Sequence, residues 1–528
     1  MYDKKYLDDN ATACRFPARL HWLKDKLDLQ DLPEVTCKSY DEIVQRLDPT
    51  STTMVFPAAH INSPASMFGH TFLRINSSYN SKLLSYAINY AASVDSTKEN
   101  GVVFAIKGLM GGYYGRYSLL PYYDKLKEYR DSEARDIWEY DLNLTQQETM
   151  RMVEHIWELN NTYSYYYFFT QNCSYNMLWL LEIARPSLHL REKFSYQVIP
   201  LETVHAIEEE NIVTAKNYRP SKRTQLLEYE SLLQPKAQDE VLEIVDKNAS
   251  IEKPINDKNI SLEQKQYILE ACLEFLEYRY MAGKLSKEIY TARFHEISTA
   301  RAKLGQGKAL NIVPDSNPDS GNRAIKSSIS QGYRDGVSSE FIGIRPAYHT
   351  IDESAVGFLR GTQIEFLDLE AQYSQQQFTL EKATLLSIVS MAQRTKFFDN
   401  LSWRMKTGFD KNFYDAKSHY LLTVGAGSSW GWKDGYVYIM ADPLMYADTM
   451  RSYGIGASTG LILDHSKKYN TATEITHRWY GNEKNQWLFD LIENYRINKK
   501  FSLQFEYKYH QRISTDENFY KVSLNYFF

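Results

Sequence analysis

Hydrophobic and polar positions alternate strictly over two segments near the C-terminus. In residues 501–510, Phe, Leu, Phe, Tyr and Tyr occupy the odd positions, and Ser, Gln, Glu, Lys and His occupy the even ones. Residues 520–528 repeat this alternation and finish on Phe528. A period of two places the apolar side chains on one face of a β-strand and the polar side chains on the other. The pattern therefore predicts two amphipathic antiparallel strands.

Ten further segments of the same kind precede them, separated by clusters of Asp, Asn, Gly and Lys. They cover residues 323–333, 338–348, 361–374, 377–392, 401–410, 418–430, 435–448, 452–464, 470–482 and 485–498. Consecutive strands with one aromatic-rich apolar face and one charged face are typical of a transmembrane β-barrel, whose outside meets lipid. A soluble β-sandwich is the alternative, but the even number of strands and the aromatic residues at strand ends favour the barrel.

The chain upstream of the barrel divides into three parts. Residues 220–305 read as helices, with a capping box at Ser261 and apolar residues at helical spacing after it, and residues 306–322 form a polar Gly/Pro/Asn-rich linker. The part before them is mixed, with strand-like runs at 52–56, 71–76, 83–90 and 102–106 and helices near 145–160 and 173–185. We therefore predict an N-terminal segment, an α+β domain, a helical connector with its linker, and a barrel of about twelve strands, at residues 1–44, 45–219, 220–322 and 323–528.

Composition excludes two classes of protein. Among 528 residues, 61 Lys and Arg stand against 66 Asp and Glu, so no basic field exists to hold a nucleic acid. The mean hydropathy of -0.50 and the absence of an apolar run of 18 residues exclude a helical membrane transporter. The chain begins without an apolar leader, which taken alone indicates the cytoplasm. The cysteines argue instead for an oxidising compartment.

Cys14 and Cys37 flank a short segment rich in turn residues. A disulfide between them would constrain roughly 24 residues and stabilise the fold by about 3 kcal/mol. The alternative is two unrelated surface thiols. Cys272 lies in an apolar helical pattern, where cysteine is usually a small buried side chain.

The fourth cysteine, Cys173, follows Asn172 and precedes an apolar helical run, so it lies in the first turn of a predicted helix. The partial positive charge at a helix N-terminus favours a thiolate, as a nucleophile requires, and a nearby imidazole would complete the pair. His70 lies at the start of the predicted strand 71–76 and is the candidate. A buried thiol and a structural histidine are the alternative. His60 and His70 have no third clustered ligand, so no metal site is predicted.

Several motifs resemble the Lnb-type N-terminal periplasmic domain, a family named for a lipoprotein N-acyltransferase of bacterial envelopes. They are His60-Ile-Asn-Ser-Pro-Ala-Ser-Met-Phe-Gly-His-Thr-Phe-Leu-Arg, Leu84-Ser-Tyr-Ala-Ile-Asn-Tyr-Ala-Ala, Gly108-Leu-Met-Gly-Gly-Tyr-Tyr-Gly, Arg135-Asp-Ile-Trp-Glu-Tyr and Asn172-Cys-Ser-Tyr. The order of histidine before cysteine also resembles the permuted papain-like fold of NlpC-type amidases. The resemblance implies that Cys173 is the nucleophile and His70 its base.

The resemblance also implies a third, polar residue that orients the imidazole. Asn89 on the predicted strand 83–90 is favoured, with Tyr86, Ser85 or His60 as alternatives. For substrate binding we expect four residues to contribute, namely Arg74, Tyr86, Tyr113 and Asn172. Arg74 shares a strand face with His70 and would meet an anionic headgroup, a rim salt bridge being the other possibility. The Gly-rich segment 111–117 is expected to form a flexible aromatic loop that covers an acyl chain, or a plain surface loop.

The sequence thus predicts a periplasmic thiol acyltransferase anchored in the Gram-negative outer membrane. Cys173 would take an acyl group from a phospholipid or lipoprotein as a thioester and pass it to an amine or hydroxyl, without a cofactor. One alternative is a cysteine hydrolase that acts on peptidoglycan amides or phospholipid esters. Another is a non-enzymatic outer-membrane channel or assembly protein.

Overall fold

The computed structural model describes residues 8–27, 35–58, 69–94, 107–447, 453–481, 483–513 and 515–528. These residues form two compact units. The first contains the described residues up to 58, residues 69–225 and residues 278–286, and the second contains 226–277 and the described residues from 287 to 528. Among the described residues, no helix is long and apolar enough to cross a membrane.

A seven-stranded antiparallel sheet forms the centre of the first unit. Its strands are β1 (Ser51–Pro57), β2 (Phe72–Asn76), β3 (Tyr86–Ala92), β4 (Tyr113–Pro121), β5 (Ile137–Leu142), β6 (Ser164–Tyr166) and β7 (Val213–Arg219), in the order β6-β4-β3-β2-β1-β5-β7. The first three match predicted strands, and the segment 102–106 lies outside the described residues. The sequence missed β4 to β7: it assigned the start of β4 to a Gly-rich loop and predicted no strand at β5, while β6 has only three residues and β7 is a largely exposed edge strand without apolar alternation.

Several α-helices of the described residues accompany this sheet. They are α1 (Thr12–Arg15), α2 (Pro17–Leu27), α3 (Lys38–Leu47), α4 (Tyr122–Leu126), α5 (Gln146–Glu158), α6 (Cys173–Ala184) and α7 (Pro200–Glu209), and a π-helical turn, Lys127–Ser132, follows α4. Thr145 and Glu148 form a capping box that starts α5. Helix α6 contacts β2 and β3 and buries an almost continuous apolar sequence. This packing holds the start of α6 against the strands that carry the site.

Cys14 and Cys37 form a disulfide with a Cα–Cα distance of 5.2 Å, as predicted. The bond joins the end of the short helix α1 to the residue before α3. Cys173 and Cys272 are free and buried. The pairing leaves Cys173 available as a thiol.

The connector is helical, as the sequence predicted, and it consists of five helices. They are α8 (Lys222–Leu232), α9 (Pro235–Asp246), α10 (Glu252–Asn256), α11 (Leu262–Met281) and α12 (Lys287–Lys303). The Ser261 hydroxyl accepts a hydrogen bond from the Gln264 N–H and caps α11. Within the second unit the connector packs on the barrel, because Phe275 stacks on Phe397 at 5.3 Å.

The barrel contains all twelve predicted strands. They are β8 (Lys326–Arg334), β9 (Val337–Arg345), β11 (Thr362–Ser374), β12 (Gln377–Ser390), β13 (Ser402–Asp410), β14 (His419–Trp432), β15 (Gly435–Tyr446), β16 (Tyr453–Ser466), β17 (Tyr469–Tyr480), β18 (Asn485–Arg496), β19 (Phe501–His510) and β20 (Glu517–Phe527). The short β10 (Ala347–His349) continues β9 beyond Pro346, and both pair with β11. Since β8 pairs with β9 and with β20, the sheet closes on itself.

The outer face of this barrel is apolar and the inner face is charged. Aliphatic side chains such as Ile329, Val424, Ile439 and Ile475 are exposed along the strands. Aromatic side chains are exposed near both strand ends, Tyr333, Tyr373, Phe378, Trp479, Trp487 and Tyr520 towards one end and Trp430, Trp432, Tyr469, Tyr495, Phe501 and Tyr526 towards the other. An apolar band between two aromatic girdles is the surface of a membrane-spanning barrel. The β-sandwich alternative is wrong, because the sheet is closed.

Candidate active site

His70 and Asn89 meet at the junction of two neighbouring strands. His70 lies two residues before β2, and Asn89 lies in β3. The register pairs Leu73 with Ile88, so Asn89 projects from the same face of the sheet as His70 and Phe72. The imidazole Nε2 lies 2.8 Å from the Asn89 Oδ1. The favoured orienting residue is therefore in contact with the predicted base.

Cys173 is the first residue of α6, as its sequence context predicted. Asn172 caps this helix, because its Oδ1 accepts the Tyr175 N–H at 3.2 Å. The thiol is buried, and its Sγ lies 3.7 Å from the Ser174 hydroxyl oxygen. The uncompensated N–H groups of the first helical turn favour a negative charge at this position.

The surroundings of Cys173 favour the thiolate. Burial opposes ionisation, but the charge of His70, a hydrogen bond with that imidazole and further hydrogen bonds from the Thr71 backbone and Ser174 outweigh it. Together they lower the pKa of Cys173 from 9.0 to about 6. In contrast, burial alone raises the pKa of the Cys272 thiol. The two free cysteines therefore differ in pKa, and Cys173 is the one whose surroundings favour the thiolate.

His70 is the titratable partner of Cys173 in this site. Burial lowers the pKa of the imidazole, but the Cys173 charge and hydrogen bonds with Cys173 and Asn89 raise it above 6.5. Because Nε2 contacts Asn89, the other ring nitrogen is the one left for the thiol. A thiolate and an imidazolium that stabilise each other are the resting state of an activated cysteine.

Sequence reasoning missed two residues near the imidazole, Tyr129, which stacks on it, and Arg135, which contacts Tyr129. The Tyr129 ring, carried by the π-helical turn, stacks on the His70 ring with a centroid distance of 5.7 Å. The Arg135 guanidinium lies 5.2 Å from the Tyr129 ring centroid and donates to the backbone carbonyls of Pro57 and Ala58. Arg135 opens one of the recognised motifs, but the sequence does not show which residue it contacts. π-Helical turns often occur at functional sites.

A second layer of hydrogen bonds fixes the start of α6. The Thr71 hydroxyl donates to the Ser174 Oγ at 2.7 Å, which joins the residue after His70 to the residue after Cys173. The Cys173 backbone N–H donates to the Tyr166 hydroxyl at 3.2 Å. Tyr166 belongs to the aromatic run just before Cys173, and this closeness in sequence is the signal that could have identified it as a neighbour of the thiol. These bonds keep the strand and the helix in register at the reacting pair.

Arg74 does not reach the site as a substrate ligand. Its side chain is fully buried, and its guanidinium forms an ion pair with Glu139 at 2.8 Å. The same side chain donates to the Thr53 hydroxyl and to the Asn76 side chain. All these partners are protein groups, so no donor points towards solvent. The expectation of a headgroup contact is wrong, and the salt bridge lies in the core instead of at the rim.

The other predicted substrate residues have different roles or positions. Asn172 is buried, and besides capping α6 it donates to the carbonyls of Phe168 and Val198, which makes it a structural residue. Tyr113 is buried and stacks on Phe168 at 6.3 Å. Tyr86 lies three residues before Asn89 and projects from the opposite face of β3 by strand alternation. None of these three positions matches a side chain presented directly to the thiol.

The Gly-rich segment 111–117 is largely a strand and not a flexible loop. Strand β4 begins at Tyr113, and a Cβ at Gly115 would come within 2.1 Å of the Tyr90 hydroxyl. Gly111 has a positive φ of 74°, and a Cβ there would meet the Tyr167 ring. These glycines are required by close packing of tyrosines. The expectation of a cover over an acyl chain is therefore wrong for the part of the segment in β4.

The alternative orienting residue His60 lies outside the described residues. Within the ranges the structure describes, no group of three His, Cys, Asp or Glu side chains is placed to hold a metal ion. The assembled groups are therefore Cys173, His70 and Asn89, with Tyr129 and Arg135 beside them.

The family comparison covers the whole region that holds His70, Asn89 and Cys173. Residues 39–210 match the family model described as the Lnb N-terminal periplasmic domain. This region is an Lnb-type periplasmic domain. The resemblance seen in the motifs is thereby confirmed. With the closed barrel that follows, the protein combines a periplasmic Lnb-type domain with an outer-membrane β-barrel.

Two further family models match the rest of the chain. Both are described as domains of unknown function, DUF7842 at residues 216–313 and DUF7840 at residues 315–527. The second covers the barrel that follows the Lnb-type domain and the connector. No curated protein matches the chain.

Part of the chain is similar to solved outer-membrane proteins. KdgM porin is 12% identical with a TM-score of 0.26, covering 38% of this chain and 99% of the porin. NanC porin is 14% identical with a TM-score of 0.27, covering 38% of this chain and 100% of the porin. An outer-membrane channel from Pseudomonas putida F1 is 11% identical with a TM-score of 0.26, covering 41% of this chain and 98% of the channel.

Proposed function

We propose that the Lnb-type domain is a cysteine-dependent acyltransferase that acts on acyl esters of the cell envelope. The observation that carries this proposal is the arrangement of Cys173, His70 and Asn89. A buried thiol whose pKa is lowered to about 6 is paired with an imidazole that an amide oxygen orients. A cysteine with only a packing role has no need of a lowered pKa, as Cys272 illustrates.

The reaction follows from these three groups. The Cys173 thiolate attacks the carbonyl carbon of an ester, and a C–S bond forms while the C–O bond to the leaving alcohol breaks. The departing oxygen takes the proton of the His70 imidazolium. In the second stage an amine or hydroxyl attacks the thioester and gives its proton to His70. The C–S bond then breaks and the thiolate is restored.

The Lnb-type domain and the barrel together support the choice of substrate. A membrane-anchored enzyme stays close to the acyl chains of phospholipids and lipoproteins, which do not leave the bilayer easily. Esters are also better acyl donors to a thiolate than amides. If water replaced the amine or hydroxyl, the same residues would act as a phospholipid hydrolase.

Mass spectrometry of the intact protein tests this proposal. The purified full-length protein is incubated with phospholipid vesicles, and we expect a mass increase of one acyl group on Cys173. The Cys173→Ser variant should remain unmodified, and a Cys272→Ser variant, as the matched control, should carry the adduct. Release of free fatty acid without an adduct would indicate hydrolysis instead of transfer. The absence of both the acyl adduct and fatty acid release would contradict the proposal.

A further inference from the structure

The barrel has one segment folded into the end at which β8 begins, here called the proximal end. This proximal segment, residues 350–358, lies in the connection between β10 and β11. Its Asp352 carboxylate accepts a hydrogen bond from Gln504 on β19, and its Asp352 carbonyl accepts one from Asn470 on β17. Both partners belong to strands far from β11 around the barrel, so the segment reaches across the lumen.

Apolar and ionic contacts hold the proximal segment in place. Ile351 packs against a buried cluster on the inner wall, which consists of Val389, Met391, Tyr436, Tyr438, Met440, Ile462 and Ala472. The Glu353 carboxylate binds the buried Arg345 guanidinium at 2.7 and 2.9 Å and Lys326 at 3.0 Å. A segment with this many inward contacts is part of the barrel core.

A second segment folds into the opposite, distal end. This distal segment, residues 411–418, connects β13 to β14. Phe413 is buried there, with its ring centroid 4.6 Å from that of Tyr446 on β15 and 5.2 Å from that of Tyr480 on β17. The Arg512 guanidinium donates to the carbonyls of Lys411 and Phe413. The distal segment is thus tied to β15, to β17 and to the residues that follow β19.

Ion pairs cross the lumen between these two segments. Arg404 on β13 binds Asp442 on β15 at 2.6 Å and Glu474 on β17 at 2.5 Å. Strand β17 is four positions from β13 in a barrel of twelve, so this contact is a chord across the interior. Lys521 on β20 binds Glu370 on β11 at 2.9 Å in the same way. Charged side chains therefore contact one another where a pore would need an open path.

The charge composition of the interior also argues against a conducting pore. The cavity that remains has a volume of about 390 Å³, and its walls hold ten Lys and Arg against eleven Asp and Glu. A pore that selects charged solutes carries rings or rows of one sign of charge that face the permeating ion. Here the two signs are nearly balanced and paired with each other. The lining thus offers no excess of one sign of charge to a solute.

We propose that the barrel is a sealed, non-conducting membrane anchor, closed by the proximal segment, the distal segment and the ion pairs between them. This assigns a role to the region matched by the second domain of unknown function. The proposal does not depend on the chemistry of Cys173, and it opposes the alternative of an outer-membrane channel.

Solute flux into liposomes tests the seal. The purified full-length protein is reconstituted, and its insertion is verified by its faster gel migration before boiling than after. A second, opened variant carries Gly and Ser in place of residues 350–358 and 411–418 together with Arg404→Ala, and its insertion is verified in the same way. Ile439→Ala, on the outer face, is the matched control.

We expect the native protein and Ile439→Ala to admit a monosaccharide no faster than empty liposomes, and the inserted opened variant to admit it at least about tenfold faster. Steady monosaccharide flux through the native protein would overturn the proposal. An inserted opened variant that stays impermeable would show that these segments and Arg404 are not the seal. If the opened variant does not insert, Phe413→Ala with Arg404→Ala takes its place under the same two criteria.

Discussion

The His70 Nε2 lies 2.8 Å from the Asn89 Oδ1, although Asn89 follows 19 residues later and belongs to the next strand. With the amide oxygen as acceptor, Nε2 donates its proton, and the other ring nitrogen is left to exchange a proton with Cys173. The contact therefore fixes both the orientation and the tautomer of the imidazole. It gives Asn89 a positioning role that can be separated from the role of the base.

Replacing His70 should affect turnover more than replacing Asn89. We expect His70→Ala to reduce acyl transfer by roughly a hundredfold or more, the usual effect of losing a general base. Asn89→Ala should cost less, because the imidazole keeps its proton-transfer capacity and loses only orientation. The measurement is acyl transfer or lipid turnover by each purified variant, with its melting temperature as a control. A larger loss in a folded Asn89→Ala than in His70→Ala would contradict these roles.

The ionisation of Cys173 should be visible in its alkylation. Since the pKa of Cys173 is lowered to about 6, its reaction with iodoacetamide should rise with pH around that value and level off above it. Cys272 should react slowly throughout, because burial raises its pKa. The reaction at each site is followed by peptide mass spectrometry. In His70→Ala the pH at which Cys173 becomes reactive should be higher, because the thiolate loses its cationic neighbour. An unchanged profile would argue against the ion pair.

The buried pair of Arg74 and Glu139 should act on stability. Arg74→Met removes the fully buried cation of Glu139 and leaves only the partly exposed Arg219 beside that carboxylate, so it should lower the free energy of unfolding by about 3 kcal/mol, the lower end of the range for breaking a buried ion pair. The exposed Arg116 on the neighbouring part of the sheet is the matched control, and Arg116→Met should change stability by about 0.5 kcal/mol or less. The free energy of unfolding of both variants is measured by denaturation, followed through a spectroscopic signal of the Lnb-type domain. A normal melting transition for Arg74→Met with weakened lipid binding would restore the headgroup role.

The disulfide should be reflected in a thiol count. Labelling under denaturing, non-reducing conditions should find two free thiols, those of Cys173 and Cys272. The double variant Cys14→Ser/Cys37→Ser should lose about 3 kcal/mol of stability, because the bond constrains the unfolded chain. A count of four thiols, or a bond that includes Cys173, would disprove the pairing.

The barrel should behave as a membrane protein. Its exposed aliphatic band and aromatic girdles require detergent or lipid, so the full chain should partition with outer membranes and migrate faster on a gel before boiling than after. Membrane fractionation and gel migration check both points. Recovery of the full chain as a detergent-free soluble monomer would be the contrary result.

The barrel strands could be predicted from the sequence because alternation is a local property. Each strand, for example 501–510, places its apolar side chains towards lipid and its polar side chains inward, and this requirement holds whatever the neighbouring strand is. The same reasoning placed Cys173 at a helix start, since the cap Asn172 and the apolar run after it are adjacent in sequence. These features need no knowledge of distant contacts.

Tertiary structure alone decided which partners the polar residues find. Alternation put Arg74 on the face of His70, but only the fold shows that Glu139, on β5, neutralises it in the core. It likewise brought Tyr129 against His70. In the barrel, inward-facing charged residues give the same sequence pattern whether the pore is open or sealed. Only the fold shows that Arg404 meets Glu474 across the lumen, because the two residues are 70 positions apart in the chain.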